Sequence, residues 1–334
     1  MLKLGYKASA EQFGPSELLK FASIAEEVGF DSVFVSDHFQ PWRHTDGHAP
    51  ASLVWLGALA ARTLRITIGT SVLTPTFRYH PAVIAQAFAT LACLCPGRVV
   101  LGVGTGESLN EVPSTGIAWP EFKERLGRLR EAIDLMRLLW TQERVTFAGQ
   151  FYRTANATIY DRPEKPVPIF ISAAGPTIAK FVGRTADGFI CTSGKTAEFY
   201  NETVMPNLKA GLSSSGRLDS ALERMIEMKV SFDTDKERAF EDTRYWAALA
   251  LSTEEKISVD DPLQIERMAA ELPIEQVASR WIVSSDPHDQ IERIRPYVEM
   301  GFTHLVFHAP GQDQERFLRN YASQVLPRLR NAFA

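Results

Sequence analysis

The chain predicts a closed (β/α)8 TIM barrel of the α/β class, with insertions. Three observations lead there. Short β-branched or apolar runs alternate with longer helical segments, giving a βα repeat of roughly 35 residues. Eight such strands can be counted along the chain. The polar, ring-bearing and glycine-dense stretches fall just after those strands, where barrels place their chemistry. An open doubly wound sheet is the rival arrangement. The 334 residues suit a barrel of ~250 residues plus insertions. No low-complexity linker divides them, so residues 1–334 read as a single barrel domain with a helical insertion at about 234–277.

The elements follow in order. Leu2 to Lys7 alternates apolar and polar and reads as a strand. Gly14-Pro15-Ser16 opens a helix whose apolar positions run to Gly29, a suitable C-cap. Asp31 to Val35 is the second strand, and Pro50 to Ala61 the second helix. Leu64 to Val72 and Gly97 to Gly104 are the third and fourth strands, separated by the apolar helix His80 to Leu94. Pro113 and Pro120 interrupt the stretch after Glu107. Trp119 to Trp140 is a long amphipathic helix, and Val145 to Tyr152 a small hairpin turning at Ala148-Gly149. Val167 to Ser172, Gly188 to Thr192 and Ile226 to Phe232 are the next strands, with helices after Gly175-Pro176 and from Thr196 to Leu212. Thr234 to Val277 is too long for a βα loop and is read as the helical insertion. The helix Asp286 to Met300, the strand Thr303 to His308 and the helix Phe317 to Leu329 close the chain.

Composition narrows the function. A hydrophobic share of 45%, with 23% charged residues, is ordinary for a globular protein. A net charge of −4 argues against nucleic acid or an anionic membrane as the main partner. Cys93, Cys95 and Cys191 offer no disulfide framework and fit a reducing cytoplasm. No signal-peptide apolar region is seen, and no apolar run reaches the roughly 20 residues that cross a membrane.

The strand ends hold the candidate chemistry. His38, beside Trp42, is an acid–base candidate because imidazole titrates near neutrality, and a hydrogen-bonded core histidine is the alternative. His44 and His48 match no ligand spacing, so no metal is expected. Gly102-Val-Gly104-Thr-Gly106-Glu107 lacks the dinucleotide fingerprint, which must open a helix. Its glycines let a flat ring lie against backbone, with Glu107 facing that ring; a tight turn with a solvated Glu107 is the other reading. Ala173 to Thr177 precedes a helix, a weak anion-binding signal. Lys195, Lys256 and Arg280 are scattered, and the spacing alone does not group them.

Six stretches carry a family resemblance. They are Lys7–Phe13, Val35–Arg43, Gly69–Arg78, Gly102–Glu107, Cys191–Lys195 and His304–Pro310. Together they closely resemble the luciferase-like family, and within it the actinobacterial deazaflavin-dependent sugar-phosphate dehydrogenases. The motifs with Trp42 and Lys195 point to that branch. The resemblance implies a homodimeric (β/α)8 barrel that oxidises D-glucose 6-phosphate to 6-phospho-D-glucono-1,5-lactone, with hydride passing from the anomeric carbon to coenzyme F420. It implies a non-prolyl cis peptide at Ser71-Val72 behind the ring. It also implies cofactor contacts at Asp37, Ser71, Val72, Thr74, Thr105, Gly106, Asn110, Ala174, Gly175, Thr177 and Ile178. The sugar phosphate would be held by Thr192, Lys195, Lys256 and Arg280. His38 would take the anomeric hydroxyl proton, Glu107 would handle the proton or charge on the reduced ring, and Trp42 would wall the pocket; His38 and Glu107 could exchange labels. The loop Val112 to Ala118 is shorter than the family's pattern. Other readings are an FMN-linked monooxygenase, a deazaflavin alcohol dehydrogenase on a neutral substrate, and a barrel that binds without turnover.

Overall fold

The computed structural model describes residues 2–333. Eight parallel strands form the barrel: β1 Lys3–Ala8, β2 Ser32–Val35, β3 Thr67–Thr70, β4 Val99–Val103, β5 Ile169–Ser172, β6 Gly188–Thr192, β7 Glu223–Phe232 and β8 His304–His308. Each pairs with the next, β8 returns to β1, and the pairing of β6 with β7 completes the ring. This is the expected closed barrel, not an open sheet.

Side chains fill the barrel in layers, as strand alternation requires. At the amino-terminal end Ser32 Oγ lies 2.6 Å from His304 Nε2, and His304 Nδ1 lies 2.7 Å from Glu223 Oε1. Above them Phe34, Val100, Phe170, Ile190, Met225 and Val306 form an apolar plug. Gly188 makes room for it, since a Cβ there would stand 2.4 Å from the Phe170 ring. The larger core lies between the barrel and its outer helices. The plug blocks the amino-terminal end, so only the carboxyl-terminal mouth is open to a ligand.

Several element boundaries differ from the sequence reading, each for a local reason. The third strand starts at Thr67 rather than Leu64, because the Glu26 carboxylate accepts the N–H groups of Leu64, Arg65 and Ile66 at 2.6–3.1 Å. The stretch after Glu107 is a helix, Ser108–Thr115, despite Pro113; Gly116, at φ 69°, ends it by donating to Val112. The long helix begins at Phe122 rather than Trp119, since the residue before Pro120 disfavours helical backbone. The helix expected from Thr196 starts with π-type turns at Phe199–Val204, which widen the spiral where Pro206 offers no N–H. A short strand, Ile282–Ser284, which the sequence reading missed, pairs with the overlong end of β7. The closing helix is split into Gln314–Gln324 and Leu326–Ala332, with Pro327 in the first turn of the second.

The segment after β7 is helical as expected. It contains Lys236–Glu241, Asp242–Ala250, Thr253–Ile257, Pro262–Ala270 and Ile274–Ala278. Its apolar side chains gather around Ala248, Leu251 and Ile265, with Leu109 and Trp42 packed against them. Tyr245 donates to the Glu11 and Asp46 carbonyls, and Trp246 donates to Gln12. The segment therefore roofs the mouth near the loops after β1 and β2. Among the described residues, no helix is long and apolar enough to cross a membrane.

The helix Pro176–Thr185 presents its first turn to the mouth and is fixed against Met205–Ser214 by a close crossing at Gly183 and Gly211. A Cβ on Gly183 would stand 2.2 Å from the Leu208 carbonyl oxygen and 2.9 Å from the Leu212 nitrogen. Backbone atoms cannot swing aside, so Gly183→Ala should destabilise the protein by about 1–3 kcal/mol. Urea unfolding measures this; an unchanged midpoint would mean that the helices separate freely.

Candidate active site

A cavity of about 660 Å³ opens at the carboxyl-terminal mouth, and every site residue expected from the sequence lines it. One wall is a narrow apolar slot. The Ser71-Val72 peptide is cis, as the resemblance implies. Ser71 N donates to Val35 O, Leu73 N to Gly102 O, and Gly104 N to Leu73 O at 2.8–3.0 Å, so this short bulge is stitched between β2 and β4. Val72 projects over Gly104, where a Cβ would lie 2.9 Å from it. Ile190, Ala174 and Ile178 belong to the same cavity. Gly175 N-caps the helix Pro176–Thr185, so free N–H groups and Thr177 face the slot's edge. Thr74, Thr105 and Gly106 continue the lining.

Asp37 is more tightly held than a free ligand contact would be. Ser52 Oγ and Tyr79 OH donate to its Oδ1 at 2.6 and 3.2 Å, and Arg78 donates to its Oδ2 at 2.8 Å. Arg78 also reaches Glu111 at 3.3 Å. Asn110 is a second brace. Its Oδ1 accepts from Phe39 N and Gln40 N at 2.8 and 3.2 Å, while its Nδ2 lies 3.3 Å from both Glu107 Oε2 and His38 Nδ1. The strand-end loop bearing His38 and the turn bearing Glu107 are thus locked together.

His38 Nε2 lies 3.1 Å from Glu11 Oε1. Its Nδ1 lies 3.1 Å from the Gln40 carbonyl. Nδ1 thus faces one acceptor, the Gln40 carbonyl, and one donor, Asn110 Nδ2, and so has a partner in either tautomer of the ring. Burial alone would raise the Glu11 carboxyl. The charges of His38 and Lys7 and the 2.7 Å hydrogen bond from Ser36 outweigh it and hold Glu11 below the usual range. An ionised carboxylate beside Nε2 stabilises a proton arriving there. Trp42 stands beside this pair, its ring centroid 6.2 Å from that of His38.

The opposite wall is crowded with cations. Lys195, Lys256 and Arg280 meet there, joined by Lys229 from β7. Burial, then the charges of Arg280 and Lys195, push Lys256 down to about 8. Burial brings Lys229 to about 8 as well, against the pull of Glu227. Burial and Arg280 lower Lys195. Arg280 Nη1 donates to Gly194 O, while its Nε is buried without a partner. These groups depress one another because no anion of the protein balances them all. An entering dianion would do so. Thr192 sits at the edge of this group.

The sequence reading missed the floor. Lys7, Glu11, Glu227, Lys229, Trp246 and His308 line the cavity, and the sequence reading gives none of them a role in the site. The signal was present: Glu227 and Lys229 are charges two apart along β7, and Lys7 stands next to the end of β1. Period two turns such side chains to one face, and in a closed barrel that face is the interior. His308 Nδ1 is 3.4 Å from Glu227 Oε1, too long to count as a good hydrogen bond, and both ring nitrogens are buried without partners. Among the described residues, no His, Cys, Asp and Glu cluster could hold a metal ion.

Residues 2–304 match the luciferase-like monooxygenase family. An F420-dependent glucose-6-phosphate dehydrogenase of Nakamurella multipartita is 65% identical, with 98% of this chain and 97% of that protein aligned. One of the same description from Beutenbergia cavernae is 62% identical, over 99% and 98%. Among solved structures, an F420-dependent secondary alcohol dehydrogenase in complex with an F420-acetone adduct superposes with a TM-score of 0.92 at 32% identity, covering 98% of this chain and 99% of that one. A coenzyme F420-dependent tetrahydromethanopterin reductase from Methanopyrus kandleri shares the fold, with a TM-score of 0.81 at 19% identity. From the profile match and the identity sustained along nearly the whole chain, the protein belongs to the luciferase-like monooxygenase family.

Proposed function

We propose that the protein oxidises D-glucose 6-phosphate to 6-phospho-D-glucono-1,5-lactone with coenzyme F420 as hydride acceptor. The observation that carries this reading is a crowd of unbalanced cations in the same cavity as an apolar slot and an imidazole. A neutral alcohol would have no use for Lys195, Lys256 and Arg280, whereas a sugar phosphate dianion would relieve their repulsion. The relatives from Nakamurella and Beutenbergia carry the same activity in their descriptions. The slot fits a flat ring: Val72, Ile190 and Ile178 supply apolar faces, and the helix start at Gly175 and Thr177 suits the cofactor's phosphate. Bound there, coenzyme F420 supplies a ring that accepts hydride in a two-electron step.

The chain's own residues do the rest. Thr192, Lys195, Lys256 and Arg280 anchor the phosphate and thereby orient the sugar. His38 takes the proton of the anomeric hydroxyl, and Glu11 stabilises the imidazolium that results. Glu107 holds or releases a proton at the ring's edge, braced by Asn110. Trp42 excludes water from the reacting carbon. Ser71, Thr74, Thr105 and Gly106 shape the slot, while Asp37 holds its wall through Arg78. We assign residues 1–334 to one barrel domain whose insertion supplies Lys256. We place the protein in the cytoplasm, in keeping with its three free cysteines, and as a homodimer. Exposed Val54, Leu64 and Val83, on and beside neighbouring outer helices, supply apolar surface for a second copy to cover.

The decisive experiment adds glucose 6-phosphate to protein mixed with the oxidised deazaflavin. The cofactor's visible absorbance should bleach, and FMN in its place should not respond. Bleaching with a simple secondary alcohol but not with the sugar phosphate would overturn the reading. His38→Ala should lower kcat by about 100-fold or more, with the cofactor dissociation constant nearly unchanged. Equal losses in both would remove the base role. The dianion favours the charged form of Lys256, so its affinity is fully present below the free enzyme's value of about 8 and is lost above it. KM for glucose 6-phosphate should therefore rise as pH passes about 8, and a flat KM through pH 9.5 would exclude Lys256 from the clamp.

A further inference from the structure

We propose that Lys7 is a positioning residue for this reaction: its ammonium ties the Ser71 carbonyl, behind the proposed ring slot, to the row of carboxylates that holds His38. The proposal rests on the site reading given above and deepens it. Lys7 is the penultimate residue of β1, with its side chain turned into the barrel, and it is only 5% exposed. Its Nζ donates to Ser71 O at 2.5 Å and lies 3.1 Å from Glu227 Oε2. A buried ammonium persists only with such partners.

The groups facing Lys7 come from four directions. Glu11 lies on the loop after β1, and its carboxyl feels the Lys7 charge. Ser71 follows β3. Glu227 and Lys229 stand side by side on β7. His308, from β8, is also within reach of the Lys7 charge and next to Glu227. Lys7 is thus a cation between two carboxylates, and one of these is the partner of His38 Nε2. Its own hydrogen bond holds the Ser71 carbonyl at the back of the slot. A single side chain therefore holds the backbone behind the slot and acts on the carboxylate that faces His38.

The test uses the full-length protein without cofactor, followed by a cofactor titration. Ring NMR of the histidines, with His38 assigned by comparison with His38→Gln, gives its titration midpoint. Removing a neighbouring positive charge strengthens proton binding, so Lys7→Met should raise the His38 midpoint by about half to one pH unit. Glu227→Gln removes a negative charge from the same row and should move the midpoint the opposite way. Loss of the donor to Ser71 should weaken cofactor binding about five-fold, followed by deazaflavin fluorescence. An unmoved midpoint or an unmoved cofactor affinity in Lys7→Met overturns the proposal. Should Lys7→Met fail to fold, the Glu227→Gln midpoint decides: a downward move supports the coupling, and none overturns it. Failure of the wild-type protein to bleach the cofactor with glucose 6-phosphate would undo the substrate reading while leaving the apoprotein titration readable.

Discussion

The pairing of Gly188–Thr192 with Glu223–Phe232 closes the sheet on itself, and the pocket depends on that closure. Open, the sheet would spread its carboxyl ends along a line, and Lys7, Glu227 and His308 would face a helix layer or solvent. Closed, it gathers eight strand ends into one ring and gives every inward side chain the same small interior. The apolar plug of Phe34, Phe170 and their neighbours then fills the lower barrel, so polar inward residues collect only above it.

That interior separates two kinds of charge. On the His38 side, carboxylates are matched: Asp37 by Arg78, and Glu11 by His38 and Lys7. On the far side, cations are left in excess: burial, with the neighbouring cations adding to it, depresses Lys195, Lys229 and Lys256. In the matched half each charge has its partner; the unmatched half gains when an anion arrives. The arrangement resolves how a protein of net charge −4 can hold an anionic substrate: local excess, rather than total charge, sets the field in a cleft of low dielectric.

The braces around the site are as instructive as the groups that touch ligand. Asn110 spends its amide on two loop N–H groups and on holding Glu107 beside His38. Tyr245 and Trp246 fasten the helical insertion to the first loop, which carries Glu11 and Gln12. The roof and the base partner are therefore anchored to the same few residues, so a disturbance in the insertion is felt at the imidazole.

Much of this was legible in the residues. Strand and helix order followed from period and punctuation, and the ring of functional strand ends followed from the barrel that order implies. The motifs around His38, Glu107 and Lys195 carried the family. Boundaries failed where a side chain far along the chain took over a backbone group, as Glu26 does before β3, or where a short helix tolerated an internal proline. The charged floor was hidden for a different reason. Lys7, Glu227 and Lys229 obey the period of their strands, but only closure decides that their side faces a shared cavity instead of water. Sequence by itself determined which groups could do chemistry; the tertiary structure decided which of them meet, because contacts between residues hundreds of positions apart are set by the ring, and no local pattern encodes them.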